Sequence, residues 1–264
     1  VRPSENDRVL WNHLRDLPYF RALVRAVEDR YYQGLALPEP TLDIGCGDGH
    51  FASVAFSRRI DVGLDPSFSV LPEAKRRGAY RLVVQGEGKR IPFPAAWFAS
   101  AMSNSVLEHI PGVDEVILEI GRVLKPGAPF VFCVPNPRYL SYLSVARMLA
   151  AVGLQGAAGS YRDWFRRMSR VHHLEEADGW RARLDRAGLV LESSWDYFSE
   201  SSMRTLEWGH YLGLPCLVAR KLTGRWILWK SKFNLALTWQ LVSPHFHEAP
   251  PAQGAFTFYV ATRA

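Results

Sequence analysis

Leu42-Asp43-Ile44-Gly45-Cys46-Gly47-Asp48-Gly49 reads as a short apolar strand that runs directly into a glycine-rich turn, and His50 to Arg58 behind it reads as a helix. Strand, glycine turn and helix together form the geometry in which a backbone approaches a nucleotide-like ligand closely, because glycine has no Cβ to hold the ligand off. The spacing is G-x-G-x-G and not G-x-G-x-x-G. The longer pattern aims helix N–H groups at a pyrophosphate. The shorter one, after a strand-end acid, suits a ligand without phosphate.

Downstream, Ile60 to Leu64 reads as a second strand, ending in Gly63-Leu64-Asp65-Pro66-Ser67. A carboxylate there accepts hydrogen bonds from both hydroxyls of a ribose. The same acid serves equally as a helix N-cap; its place after the glycine turn favours the ribose.

The surrounding rhythm sets the fold class. Residues 5–34 read as helical with a break at Pro18, carrying Leu10, Leu14, Leu17, Phe20, Leu23, Val24 and Val27 on the apolar face. Ser69 to Arg77 reads as a helix, Arg81 to Val84 and Phe98 to Ser103 as strands. Asp114 to Leu124 is an amphipathic helix closed by Lys125-Pro126-Gly127, and Pro129 to Val134 is a fifth strand. Strands alternating with helices predict a parallel sheet wound by right-handed crossovers. Beyond Pro137 the rhythm changes. Residues 138–170 read as helical with a glycine-rich break at 153–159, Leu174 to Ala187 as a helix, Leu189 to Trp195 as a sixth strand and Phe256 to Thr262 as the last. Residues 197–253 are rich in aromatics and proline and fall outside the alternation.

With four motifs in order, LDIGCGDGHFA, GLDPS, QGEGKRIPFPAAWFASAMSNSVLEHI and RVLKPGAPFVFCVPNP, the chain resembles the class I S-adenosylmethionine (SAM)-dependent methyltransferases. The likeness is greatest to the small-molecule branch that includes the ubiquinone and menaquinone biosynthesis methyltransferases (methyltransferase type 11). It covers roughly residues 40–137 and returns weakly at 172–195. It implies a Rossmann-like α/β fold, a mostly parallel seven-stranded sheet with helices on both faces and helical cap insertions. On that pattern 1–264 is a single methyltransferase domain. Residues 1–39 form an N-terminal helical segment and 40–137 the SAM-binding core. Residues 138–170 and 197–253 are cap insertions, and 171–196 and 254–264 complete the core.

Carried over by position, the resemblance implies that Asp43, Gly45, Gly47 and Gly49 form the loop under the methionine and ribose of SAM. Asp65 holds the ribose hydroxyls, Glu87 accepts from the adenine amino group and Gly88 donates its N–H to the ring. Asn104 and Ser105 lie under the methionine portion. Two departures stand out: Glu87 replaces the usual Asp, and Lys89-Arg90 follow where an acid is common. Leu107-Glu108-His109 is similar to the family's segment, whose histidine is more often structural than catalytic.

SAM brings its own activated methyl group and leaves S-adenosylhomocysteine, so the protein has to place an acceptor in line and exclude water. A general base is needed for a phenol or hydroxyl acceptor far more than for a thiol or enolate. His172 and His173 precede a helix near where the acceptor belongs and are candidates for base or positioning roles. Their adjacency is poor spacing for shared ligation, and no metal set is expected. Insertions at the carboxyl ends of the strands usually form a lid that selects substrate. Tyr161, Trp164, Trp208, Trp226 and Trp229 are candidate substrate residues there, amid many arginines. Two readings compete for them, a large hydrophobic or aromatic acceptor with basic residues near an anionic group, and a packed cap with solvated charges. The second is favoured for most.

The 264 residues, 48% hydrophobic and 22% charged, fit an ordinary globular chain. The net charge of +6 mildly favours anionic partners. No nucleic-acid partner is expected, since there is no recognition module and no Asn/Asp-Pro-Pro-aromatic motif. Lys230 and Lys232 flank Phe233, and peripheral contact with an anionic membrane is the lesser alternative for the outer face. Cys46, Cys133 and Cys216 are far apart, which fits a reducing, cytoplasmic setting. The polar N-terminus is unlike a signal peptide. Tyr211 to Val242, the nearest approach to a membrane span, is broken by Arg220, Lys221, Arg225, Lys230 and Lys232. The expectation is methyl transfer to a small-molecule acceptor. The alternatives are a non-catalytic SAM-binding scaffold and an NAD-linked oxidoreductase.

Overall fold

The structure is a computed structural model and describes residues 5–264. The first four residues of the polar N-terminus lie outside the described residues. Seven strands form one sheet: β1 (Thr41–Ile44), β2 (Ile60–Asp65), β3 (Tyr80–Gln85), β4 (Ser100–Asn104), β5 (Pro129–Pro135), β6 (Leu189–Tyr197) and β7 (Phe256–Arg263). Their order is β3-β2-β1-β4-β5-β7-β6, with β7 antiparallel to both neighbours and the other pairs parallel. All four residues of β1 are buried, because it sits between β2 and β4 and is covered on both faces.

Strand alternation divides the core. On β5, Val131 and Cys133 join one apolar cluster while Phe130, Phe132 and Val134 join the other. The first cluster takes in α1 (Glu5–Leu14), α2 (Tyr19–Tyr32), α3 (His50–Ala55) and α4 (Leu71–Arg77). The second is covered by α5 (Val113–Val123) and α9 (Ala177–Arg186). The amphipathic run expected over 114–124 is α5, which buries Val116, Ile117, Ile120 and Val123.

The segment between β5 and β6 carries α6 (Arg138–Ser141), α7 (Ser144–Ala151) and α8 (Gln155–Met168). The one between β6 and β7 carries α10 (Glu200–Leu212), α11 (Leu214–Thr223) and α12 (Ala236–Phe246). Three expected boundaries move. The helix after the glycine turn stops at Ala55, because Phe56 turns extended. The break expected at 153–159 is confined to the turn around Gly153, whose φ is +84°. Gly156 and Gly159 lie inside α8, where Ala158 and Phe165 are buried against the fold. The helix expected from Leu174 starts at Ala177, since the preceding stretch runs non-helical up to an extended Glu176. Among the described residues no helix is long and apolar enough to cross a membrane.

Candidate active site

At the carboxyl ends of β1, β2, β3 and β4 a cleft of about 840 Å³ opens. Its walls include Ile44 at the end of β1 and Gly45 after it, Leu64 and Asp65 at the end of β2, Gly86 to Lys89 after β3, and Val106 with His109 after β4. Val116 of α5 and Arg170 close it. Open α/β sheets bind ligands at this edge, where the winding reverses between β1 and β4.

The glycine turn is held by its own hydrogen bonds. The N–H groups of Gly45 and Cys46 both donate to the Leu64 carbonyl, at 2.8 and 3.1 Å. Gly47 donates to Asp65 Oδ2 at 2.9 Å, Gly49 to the Cys46 carbonyl at 3.0 Å and His50 to Asp48 Oδ1 at 3.1 Å. A pyrophosphate site needs such N–H groups directed at the ligand. Here these five are spent on the protein. Asp65 accepts at its second oxygen from the Ser67 N–H at 2.9 Å. Each oxygen keeps lone pairs free towards the cleft, since a carboxylate has about four acceptor sites.

Of the residues expected to hold the cofactor, Gly45, Asp65, Glu87 and Gly88 line this cleft. Asp43 is not among the residues that line it. It is buried and accepts from the Tyr80 hydroxyl at 2.6 Å. Burial pushes its carboxyl up to about 7 against the lowering effect of that hydrogen bond. Its role is therefore to tie β1 to β3 beneath the turn. Gly47 and Gly49 shape the turn at φ +53° and +73°. Glu87 is exposed and paired with Lys89 at 3.0 Å.

Asn104 and Ser105 belong to a buried knot that sequence reasoning missed. Its centre is Glu28 on α2, fully buried. One oxygen accepts from Ser105 Oγ at 2.6 Å and Tyr197 OH at 3.0 Å. The other accepts from Arg25 at 2.6 Å and Asn104 Nδ2 at 2.7 Å. The Cys133 thiol donates to Asn104 Oδ1 at 3.1 Å. The knot clamps α2 across the ends of β4 and β6, beside the cleft. The only sequence signal was an acid placed among the core-facing positions of an amphipathic helix.

His109 stands in the cleft wall. Burial lowers its pKa, and its Nδ1 lies 3.0 Å from the Arg170 carbonyl, which fixes the proton there and leaves Nε2 as the basic nitrogen. His109 and Arg170 also border a second hollow, with Arg166, Arg167 and His172. Of the histidine pair, His172 opens into that hollow. His173 is held by the loop, with Nε2 2.9 Å from the Ile110 carbonyl and Nδ1 3.4 Å from Glu175. The cap aromatics divide. Tyr161 bonds Glu207 at 2.8 Å and Tyr211 at 2.5 Å, Trp164 stacks on Tyr211, and Trp208 donates to Ser144. Trp226 lines a separate cavity of about 560 Å³ and Trp229 faces solvent. None of the five lines the cleft.

Glu108 is buried with Oε2 unpartnered, and burial pushes its carboxyl up to about 8, although its backbone contact and Arg25 pull the other way. The native state thus holds a proton that the unfolded chain releases above 4.5. That contribution to stability is complete below 4.5 and is lost as pH rises through about 8. Glu108→Gln cannot ionise. It should match the wild type near pH 5 and be more stable by about 1–3 kcal/mol at pH 9. Denaturant melts at the two pH values check this, and an equal gain at both would remove the protonation argument.

Residues 42–132 match the family model described as a methyltransferase domain. The chain is 32% identical over 103 residues to the fatty-acid O-methyltransferase of Mycolicibacterium smegmatis, covering 37% of this chain and 38% of that protein. It is 34% identical over 97 residues to the 2-phytyl-1,4-naphtoquinone methyltransferase of Synechococcus elongatus, covering 33% and 42%. The matched stretch spans less than half the length of either relative. Among solved structures, a SAM-dependent methyltransferase from Thermotoga maritima, a possible histamine N-methyltransferase, aligns with a TM-score of 0.57 at 15% identity, covering 93% of this chain and 91% of that one. At that identity the likeness speaks to the fold.

Proposed function

We propose that this chain transfers the methyl group of SAM to a small-molecule acceptor that is large and hydrophobic or aromatic, by direct in-line displacement and without a metal. The observation that carries the reading is the glycine turn, whose N–H groups are consumed internally while the Asp65 carboxylate stands at the cleft. That arrangement fits a nucleoside with free ribose hydroxyls and no phosphate, and it disfavours the NAD-linked alternative. When bound, SAM supplies an electrophilic methyl on a sulfonium. Asp65 binds the ribose, Gly88 and Glu87 meet the adenine, and Ile44, Leu64, Val106 and Val116 give the walls their apolar character. Gly45 lets the ligand lie against the main chain.

The acceptor class rests on two supports. The relatives are named for a fatty acid and a phytyl-naphthoquinone, both long and apolar. The hollow beside the cleft collects Arg166, Arg167 and Arg170, which suits an anionic group on the acceptor. His172 and His173 are the proposed imidazoles for positioning an acceptor or taking its proton; His172 borders the hollow, and His109 in the cleft wall is a further candidate. Metal independence rests on the lack of ligand spacing in the sequence. The cytoplasmic setting rests on three separate, unbonded cysteines.

Asp65→Ala should weaken SAM binding by roughly 1.5–3 kcal/mol, because charge-assisted bonds to the ribose are lost. Calorimetry with SAM and with NADH on the wild type and the variant measures it; unchanged SAM affinity would remove Asp65 from the site. A screen for S-adenosylhomocysteine release with long-chain fatty acids and prenylated quinols, run with and without EDTA, tests turnover. SAM binding with no release from any acceptor class would favour the non-catalytic alternative, and loss of turnover in EDTA would end the metal-free mechanism.

A further inference from the structure

The helix α11 buries none of its residues. Its apolar side chains fall at Leu214, Leu217, Val218 and Leu222, the i, i+3, i+4, i+8 spacing of one stripe. In a globular domain such a stripe faces the core. Here it faces water: Leu222 is 80% exposed and Leu214 57%. The pattern continues past the helix, where Trp229 is 73% exposed, Phe233 94% and Leu237 81%. Apolar surface of this extent on a soluble face marks a contact.

Charge identifies the contact. From Trp208 to His247 the sequence contains no aspartate or glutamate, yet it holds Arg220, Lys221, Arg225, Lys230 and Lys232. Two of these cations are engaged within the protein, one across to the body and one inside the segment. Lys230 pairs with Asp16, and Arg220 lies over the Trp226 ring at 4.6 Å, which Arg21 approaches at 5.6 Å. Lys221, Arg225 and Lys232 have no carboxylate within ion-pair distance among the described residues; Lys221 and Lys232 adjoin exposed Leu222 and Phe233 in the chain, and Arg225 stands at the rim of the cavity beside Trp226. A second copy of the chain is a poor occupant, because a two-fold contact would set the same unneutralised cations against each other. Outward leucines, an exposed tryptophan and phenylalanine, and free basic residues are the composition of a segment that lies in a lipid interface. The short helices among the described residues restrict such contact to the surface layer.

We propose that residues 212–241 dock the protein peripherally on an anionic lipid membrane, with Trp229, Phe233 and Leu222 entering the interface and Lys221, Arg225 and Lys232 meeting the headgroups. The inference goes beyond methyl transfer and does not depend on it.

Co-sedimentation of the full chain with vesicles is the test, using phosphatidylcholine alone and phosphatidylcholine mixed with phosphatidylglycerol. Binding should be at least about tenfold tighter to the anionic vesicles and should weaken with added salt. The triple variant K221E/R225E/K232E should lose about tenfold or more of that binding. W229S/F233S should lose a comparable amount while melting like the wild type, since both side chains are already in water. Equal binding to the two vesicle types, or none to either, overturns the proposal. So does a dimer, seen in sedimentation equilibrium, that W229S/F233S dissociates, because the face would then belong to a second copy.

Discussion

Glu28→Ala is expected to destabilise the protein by about 3–5 kcal/mol, a large part of the total stability of an ordinary domain. The effect follows from what the carboxylate leaves behind. Arg25, Asn104, Ser105 and Tyr197 all donate to it, two at each oxygen, in a site closed to water. Alanine removes the acceptor but none of the donors. Arg25 keeps its charge in a mostly enclosed position with no second carboxylate bonded to it, and the three neutral donors keep the desolvation cost of unmade hydrogen bonds. Glu28→Gln is the useful companion. Its carboxamide oxygen retains one pair of bonds, but its NH₂ faces two donors, so it should fall between the wild type and alanine. Ser105→Ala removes a single donor and should cost about 1 kcal/mol. Urea melts with the denaturant slope reported alongside the midpoint measure all three. A Glu28→Ala protein within about 1 kcal/mol of the wild type would show that the knot is not the clamp described.

The clamp also bears on the cleft. Asn104 ends β4 and Ser105 follows it at φ +52°, the start of the loop that brings Val106 and His109 into the cleft wall. Loosening Glu28 frees that loop as well as α2. Loss of stability and loss of SAM affinity should therefore appear together in Glu28→Gln, whereas Asp65→Ala should affect affinity more than melting.

The sheet was legible because burial leaves a local record. TLDI and PFVFCVP are apolar runs closed by turn residues, and α5 shows its period outright. Asp65 and the glycines were legible because a strand-end acid and a tight turn need particular residue types at fixed positions. Asp43 shows what a motif leaves open. Position in a motif does not show which face of a four-residue strand carries the side chain, and Tyr80, on β3 two strands away, bonds it in the buried interior. Glu28, Arg25 and Tyr197 could not be found from spacing, since Tyr197 is far along the chain from Glu28 and only the fold brings them together. The cap resisted for a different reason. Tryptophans bonded within the cap and tryptophans on an outer face have the same local pattern, and only tertiary packing separates Trp208, part-exposed but bonded to Ser144, from Trp229 in solvent.

Gly45→Ala should be the most damaging single methyl added to the cleft, at about 2–5 kcal/mol of stability, together with loss of measurable SAM binding. Two costs combine. Gly45 has φ +78°, in the left-handed region where an L side chain costs roughly 1–2 kcal/mol. A Cβ at that position would also lie 2.4 and 2.6 Å from the two methyls of Val106 and 3.0 Å from its Cβ. Valine is stiff at χ1, so it cannot swing aside cheaply, and overpacking of this kind costs about 1–3 kcal/mol. The backbone has little room to yield, because the Gly45 and Cys46 N–H groups are both committed to the Leu64 carbonyl. Moving the turn would break β1 from the end of β2, where Asp65 stands. Gly45→Ala/Val106→Ala separates the two costs. Removing the valine methyls should restore the overpacking share of the stability and leave the left-handed strain, while SAM affinity stays low because the strained turn and the missing Val106 wall both alter the cleft. Denaturant melts and calorimetry with SAM on the two single variants and the double give the cycle. If Gly45→Ala melts and binds SAM like the wild type, the close approach assigned to this turn is wrong.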